Sequence, residues 1–127
     1  MKAAHWIMIA AVSACLAVIL GAFGAHALET QLTKLGLTDV WETANRYHFY
    51  HSFGILALGW LGERYAQTKW NWVGISFLLG IIFFSGSLYV MGLTGTRILG
   101  AITPIGGVFF ILGWTMLAFK IWKAAKN

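Results

Sequence analysis

Apolar residues fall into four long blocks, Trp6 to Leu28, Tyr47 to Leu61, Trp72 to Leu93 and Ile98 to Phe119, separated by short polar stretches. A helix rises about 1.5 Å per residue, so a hydrocarbon layer of about 30 Å needs roughly 20 mainly apolar residues. The second block is short alone. It becomes long enough with its upstream amphipathic stretch, where Asp39 and Glu42 have the spacing of a capping box that starts a helix near Val40. No block shows the period-two alternation of barrel strands, and helices satisfy all their backbone groups within lipid. The pattern predicts an all-α membrane protein: one domain over residues 1–127, an up-and-down bundle of four transmembrane helices at about 6–28, 41–62, 72–93 and 98–120.

The connections sharpen this. Thr94 to Arg97 is short enough to force the third and fourth helices into a hairpin, whereas Glu29 to Thr38 has room for an interfacial turn along Leu28, Leu32 and Leu35, stopped at Gly36. Composition agrees: 59% of the 127 residues are apolar and 10% charged, against roughly 45–50% and about 25% in ordinary globular domains. So little charge does not cover the surface of a small water-soluble enzyme. A single cysteine, Cys15, excludes an internal disulfide and a cysteine-based metal framework. The net charge of +5 is scattered between apolar blocks and forms no basic face, which excludes nucleic acid as a partner.

Orientation follows from the same cations. An inner N-terminus puts Lys2, Arg64, Lys69, Lys120, Lys123 and Lys126 on one side and Lys34, Arg46 and Arg97 on the other, which predicts both termini inside (N-in/C-in). Ala25-His26-Ala27 imitates a signal-peptide cleavage site, but the run before it is too long for a signal core and is expected to stay as a span.

Small residues mark where helices approach closely. Ser13, Ala17, Gly21 and Ala25 make one stripe, and Ser76 with Gly80, Thr103 with Gly107, and Gly106 with Gly113 make others. Pro104, inside the fourth block, predicts a kink, with Thr103 placed to bond the released backbone.

With this topology the outer halves of the spans collect His26, Tyr47, His48, His51, Ser85, Ser87 and Tyr89. His48 and His51 share the stripe Trp41, Ala44, His48, His51, Ile55 and Leu58, so they are expected to face one neighbour, and an antiparallel first hairpin brings His26 to similar depth. Three imidazoles at one depth suit a metal, a haem or a proton relay, while the plain alternative is that they hydrogen-bond across helices. No acidic residue lies in the apolar centre of a span, which argues against an ordinary proton-coupled pump. No nucleophile, base and orienting partner stand at interpretable spacing, so catalysis is not expected and no cofactor is called for.

Several of these residues form familiar strings. Gly21-Ala22-Phe23-Gly24-Ala25-His26, Trp41 with Thr43-Ala44 and Tyr47-His48 to His51, Phe84-Ser85-Gly86-Ser87-Leu88-Tyr89, and Thr103-Pro104-Ile105-Gly106-Gly107 with Gly113-Trp114 resemble the YgdD-like family (domain of unknown function 423, UPF0382 type). These are small bacterial inner-membrane proteins with a related eukaryotic branch. The likeness runs through all four blocks in order, and it implies plasma-membrane residence and four spans but supplies no substrate. It departs at His48, where the family often has Gln, so His26 and His51 become the better pair for any metal. The expected role is a structural or accessory membrane component, partnered by the bilayer and by a membrane protein or a second copy of the chain. The alternatives are a small solute or ion transporter or channel with an outward polar vestibule, and a metal- or haem-binding module.

Overall fold

The computed structural model describes residues 1–126. Six α-helices follow in order: α1 Ala3–Ala25, α2 Glu29–Leu35, α3 Thr38–Arg64, α4 Asn71–Gly80, α5 Ser87–Thr94 and α6 Thr103–Ala124. A π-helical segment, Ile81–Gly86, joins α4 to α5 without a break, and a 3-10 turn, Arg97–Ala101, leads into α6. Among the described residues there is no strand.

Three helical stretches are long and apolar enough to cross a membrane: Ala3–Ala25, Asn71–Thr94 and Arg97–Ala124. Their outward faces are what lipid requires, with Met8, Val12, Val18 and Phe23 exposed on α1 and Ile105, Val108, Ile111 and Phe119 exposed on α6. The chain is therefore an all-α, multi-pass membrane protein.

The 27-residue α3 is different in kind. It carries the polar side chains, and it buries them: Trp41, Ala44, His48, His51, Ile55 and Leu58, the whole stripe read from the sequence, are at most a few per cent exposed. Its neighbours run antiparallel to it. Ala3 and Ile7 of α1 abut Gly62 and Gly59, while Gly21 and Gly24 at the other end of α1 abut Asn45 and Trp41. Across the other face, Gly54 meets Phe77 of α4, and Trp41 meets Tyr89 and Gly92 of α5. In turn α4 and α5 run antiparallel to α6, since Phe77 lies on Gly113, Phe110 on Gly80, and Ser87 on Thr103.

Glycine makes these approaches possible. At Gly106 the backbones themselves touch, because an added Cβ would collide with backbone atoms of Phe83 and Phe84; at Gly80 it would meet the ring of Phe110. Gly107 is looser, since a Cβ added there would lie 3.9 Å from the Phe84 ring. Ala25, expected in the packing stripe of α1, is exposed instead, and Gly24 takes that place beneath the indole of Trp41.

Two further expectations are corrected. Pro104 stands in the first turn of α6, where an amide hydrogen would be unpaired anyway and the fixed φ suits a helix start, so it begins the helix and kinks nothing. The helix over residues 38–64 starts at Thr38 without a side-chain cap bond, so the Asp39–Glu42 capping box does not form. The interfacial turn is α2, ended by Gly36 at φ 65° and strapped down by three bonds: Gln31 Nε2 donates to the Leu93 (2.9 Å) and Gly92 (3.2 Å) carbonyls, and Arg97 Nη2 to the Leu35 carbonyl (2.8 Å).

Candidate functional site

The buried polar residues of α3 divide between two sides of the helix. His48 turns toward α1 and α5. Its Nδ1 lies 3.3 Å from the Tyr89 hydroxyl and its Nε2 3.1 Å from Ser13 Oγ. Ser13 Oγ is 2.6 Å from Ser52 Oγ, and Ser52 donates to the His48 carbonyl at 2.8 Å. Asn45 Nδ2 donates to the Ala17 carbonyl (2.7 Å) and to the Tyr89 hydroxyl (3.1 Å).

For a neutral imidazole, one placement of hydrogens serves every bond. A carbonyl only accepts, so Ser52 gives its hydrogen to His48 O; Ser13 must then donate to Ser52, His48 Nε2–H to Ser13, and Tyr89 O–H to His48 Nδ1. The circuit leaves His48 through its ring and returns to His48 through its backbone. It is closed.

His51 turns the other way, toward α6. Its Nδ1–H donates to the Tyr47 carbonyl (2.7 Å), and its Nε2 accepts the indole hydrogen of Trp114 (3.1 Å). Phe110 lies flat on the ring, with 3.3 Å between centroids and 7° between planes. The expectation that the two imidazoles face one neighbour therefore fails: residues three apart on a helix point about 60° apart, and on a helix packed from both sides that sends them to different partners.

The remaining candidates scatter. His26 is exposed in the turn just past α1. His48 sits opposite Ser13, thirteen residues earlier on α1, so His26 and His48 differ in depth by about 20 Å. The expected matching depth is not found. Tyr47 stacks on Phe84 at 4.6 Å. Ser87 donates to the Phe84 carbonyl (2.9 Å) and pairs with Thr103 Oγ1 (2.8 Å), joining α5 to α6. Ser85, in the π-helical segment, is wholly buried and its hydroxyl has no partner.

For a metal, the geometry is unfavourable. His26 and His51 do not meet, both ring nitrogens of His48 and His51 are engaged, and among the described residues no three His, Cys, Asp or Glu side chains come together. Sequence reasoning missed Asn45, Ser13, Ser52 and Trp114 as members of these networks. A usable signal existed, since Trp41, Asn45, His48 and Ser52 recur at four, three and four residues, one polar stripe along α3.

A separate cleft of about 550 Å³ opens where α1, α2 and α3 converge, lined by Glu29, Thr38, Trp41, Glu42, Asn45 and Arg46 over a floor of Gly21 and Gly24. Trp41 closes one side by donating its indole hydrogen to the Leu20 carbonyl at 2.9 Å. None of the seven candidates lines this cleft.

The sequence matches the family "Protein of unknown function (DUF423)" over residues 20–107. The chain belongs to that family. DUF423 relatives include the UPF0382 membrane protein of Staphylococcus saprophyticus, 50% identical over 118 residues, covering 93% of this chain and 97% of the relative. That of Staphylococcus epidermidis is 47% identical over 120 residues, covering 94% and 97%. The membrane protein YwdK of Bacillus subtilis is 43% identical over 116 residues, covering 88% and 91%. No solved structure matches. The matched region of this DUF423 chain takes in α2, all of α3 and the π-helical segment, and so includes His26, His48, His51 and Tyr89.

Proposed function

We propose that this DUF423 protein is a non-enzymatic, four-pass, N-in/C-in membrane component with a structural or accessory role, working beside a membrane-protein partner or a second copy of itself. The observation that carries the reading is the closed circuit at His48. Every hydrogen in it is spent inside the bundle, all but the Ser52–His48 one between helices, so the groups that would line a path bind α1, α3 and α5 together instead. The exposed apolar stripe Tyr50, Phe53, Leu56 and Trp60 supports α3 as the fourth pass, because it turns a lipid-compatible face outward while the polar face stays inside. Six cations at one end against three at the other support the orientation.

Liposome flux measurements test the role. Wild type and His48→Ala are expected to give the same background leak of protons and small solutes, with His48→Ala less stable in detergent. A wild-type flux that His48→Ala abolishes while remaining folded would replace the structural reading with transport. The observation on the transport side is the cleft at Glu29, Glu42 and Arg46, which touches the buried network through Asn45.

A further inference from the structure

Although the cations are scattered along the sequence, the fold corrects the expectation of no basic face by gathering the excess positive charge at the end where α1 begins and α3 and α6 finish. Lys2, Arg64, Lys69, Lys120, Lys123 and Lys126 belong to it with Glu63 as the accompanying acid, whereas Lys34, Arg46 and Arg97 at the opposite end are matched by Glu29, Asp39 and Glu42. Within the basic end, residues 65–70 fold against the start of α1 and enclose a cleft of about 450 Å³ walled by Lys2, Trp6, Gly62, Thr68, Lys69 and Trp70. A neighbouring recess shares Thr68 and adds Lys120 and Lys123.

Two walls of the cleft carry an unresolved demand. Trp6 is 2% exposed and Trp70 4%, yet the indole Nε1–H of each has no hydrogen-bond partner. A buried donor without an acceptor is costly and uncommon, and here both belong to side chains that line the same basic cleft. The pyrrole edge of Trp70 faces Gly62 on the cleft wall: a Cβ added there would lie 3.8 Å from Cδ1, the carbon bonded to Nε1. The fourth helix also starts here, at Asn71, with no side-chain cap on its positive end. Asn71 Oδ1, also on the cleft wall, is already engaged, taking a 2.8 Å bond from the Met1 amino group.

We propose that this cleft binds a phosphate group, its oxygens accepting from the Trp6 and Trp70 indoles while Lys2 and Lys69 and the start of α4 balance the charge. Donors without acceptors, cations without a lining carboxylate and a helix N-terminus together select an oxyanion. Tryptophan rings and basic clefts at the membrane boundary lie at the level of lipid phosphates, so the source is an anionic phospholipid headgroup or free phosphate. The proposal stands apart from the structural role above and does not depend on it.

The test uses full-length protein, labelled with 15N at tryptophan, in neutral detergent. Its seven indole resonances are assigned with single Trp→Phe variants, then titrated separately with dihexanoyl phosphatidylglycerol and with inorganic phosphate. The Trp6 and Trp70 resonances are expected to move while the others stay, and Lys69→Gln is expected to weaken binding about tenfold. Movement with the lipid alone identifies a headgroup site, and movement with both identifies a general phosphate site; either supports the proposal. Two still indole resonances with both ligands would overturn it, as would unchanged affinity in Lys69→Gln. Lys69 is exposed, so that variant decides the matter even where Trp70→Phe fails to fold.

Discussion

Trp114 on α6 donates its indole hydrogen to Nε2 of His51 on α3 across 3.1 Å, and this bond ties together helices that otherwise meet through rings. Removing the donor while keeping an aromatic ring, as in Trp114→Phe, leaves the imidazole with one bond, to the Tyr47 carbonyl. The expected cost is about 1 kcal/mol, in the range of a single hydrogen bond within a protein or between membrane helices. It is read as a lower thermal midpoint in detergent, with the helical content unchanged by circular dichroism.

His48 needs an acceptor toward Tyr89 and a donor toward Ser13. A glutamine side chain offers both, so His48→Gln is expected to keep most of the stability. Leucine at this position offers neither, leaving the Tyr89 hydrogen without its acceptor and Ser13 with its bond to Ser52 alone, for an expected loss of about 2 kcal/mol. Thermal melts of the two variants should therefore separate clearly. Equal melts would mean the circuit contributes nothing.

Much of this was readable before the structure, and the failures have physical causes. The buried stripe from Trp41 to Leu58 followed from helical spacing, as did the turn at Gly36. The depth of His26 is not legible from spacing within a block, because it depends on how the two helices align: His26 lies just past the end of α1 while His48 stands ten residues inside α3, opposite Ser13. The π-helical segment Ile81–Gly86 was invisible because a nearly uniform apolar block carries no phase from which a change of helical period can be read. Pro104 was misread for a related reason: apolarity continues through the 3-10 turn, so it does not mark where α6 starts.

Gly106 and Gly107 are adjacent in sequence but unequal in packing. A methyl on Gly106 would run into the backbone of Phe83 and Phe84, which has no rotamer to give, whereas one on Gly107 would rest in ordinary contact with the Phe84 ring. Gly106→Ala is expected to cost about 1–3 kcal/mol by overpacking, and Gly107→Ala to be close to neutral. Yield of monodisperse protein on size exclusion, followed by thermal melting, ranks them; the reverse order would refute the close approach at Gly106.

The four-pass arrangement makes a prediction at the loops, with Cys15 first replaced by Ala because it is the chain's sole native thiol. If α3 crosses the bilayer, the loop containing Thr68 and the turn containing Thr30 lie on opposite sides; if it does not, they lie on the same side. In intact cells a membrane-impermeant maleimide is expected to label Thr30→Cys and Thr96→Cys, and to leave Thr68→Cys and Lys126→Cys unlabelled until the membrane is opened. The polar side chains of α3 make this the decisive crossing. His48, Ser52 and Asn45 are tolerated in lipid only because α1, α5 and the circuit between them take up both ring nitrogens of His48, the Ser52 hydroxyl and the Asn45 amide nitrogen. Labelling of Thr68→Cys in intact cells, alongside Thr30→Cys, would place both ends of α3 outside and would leave three spans.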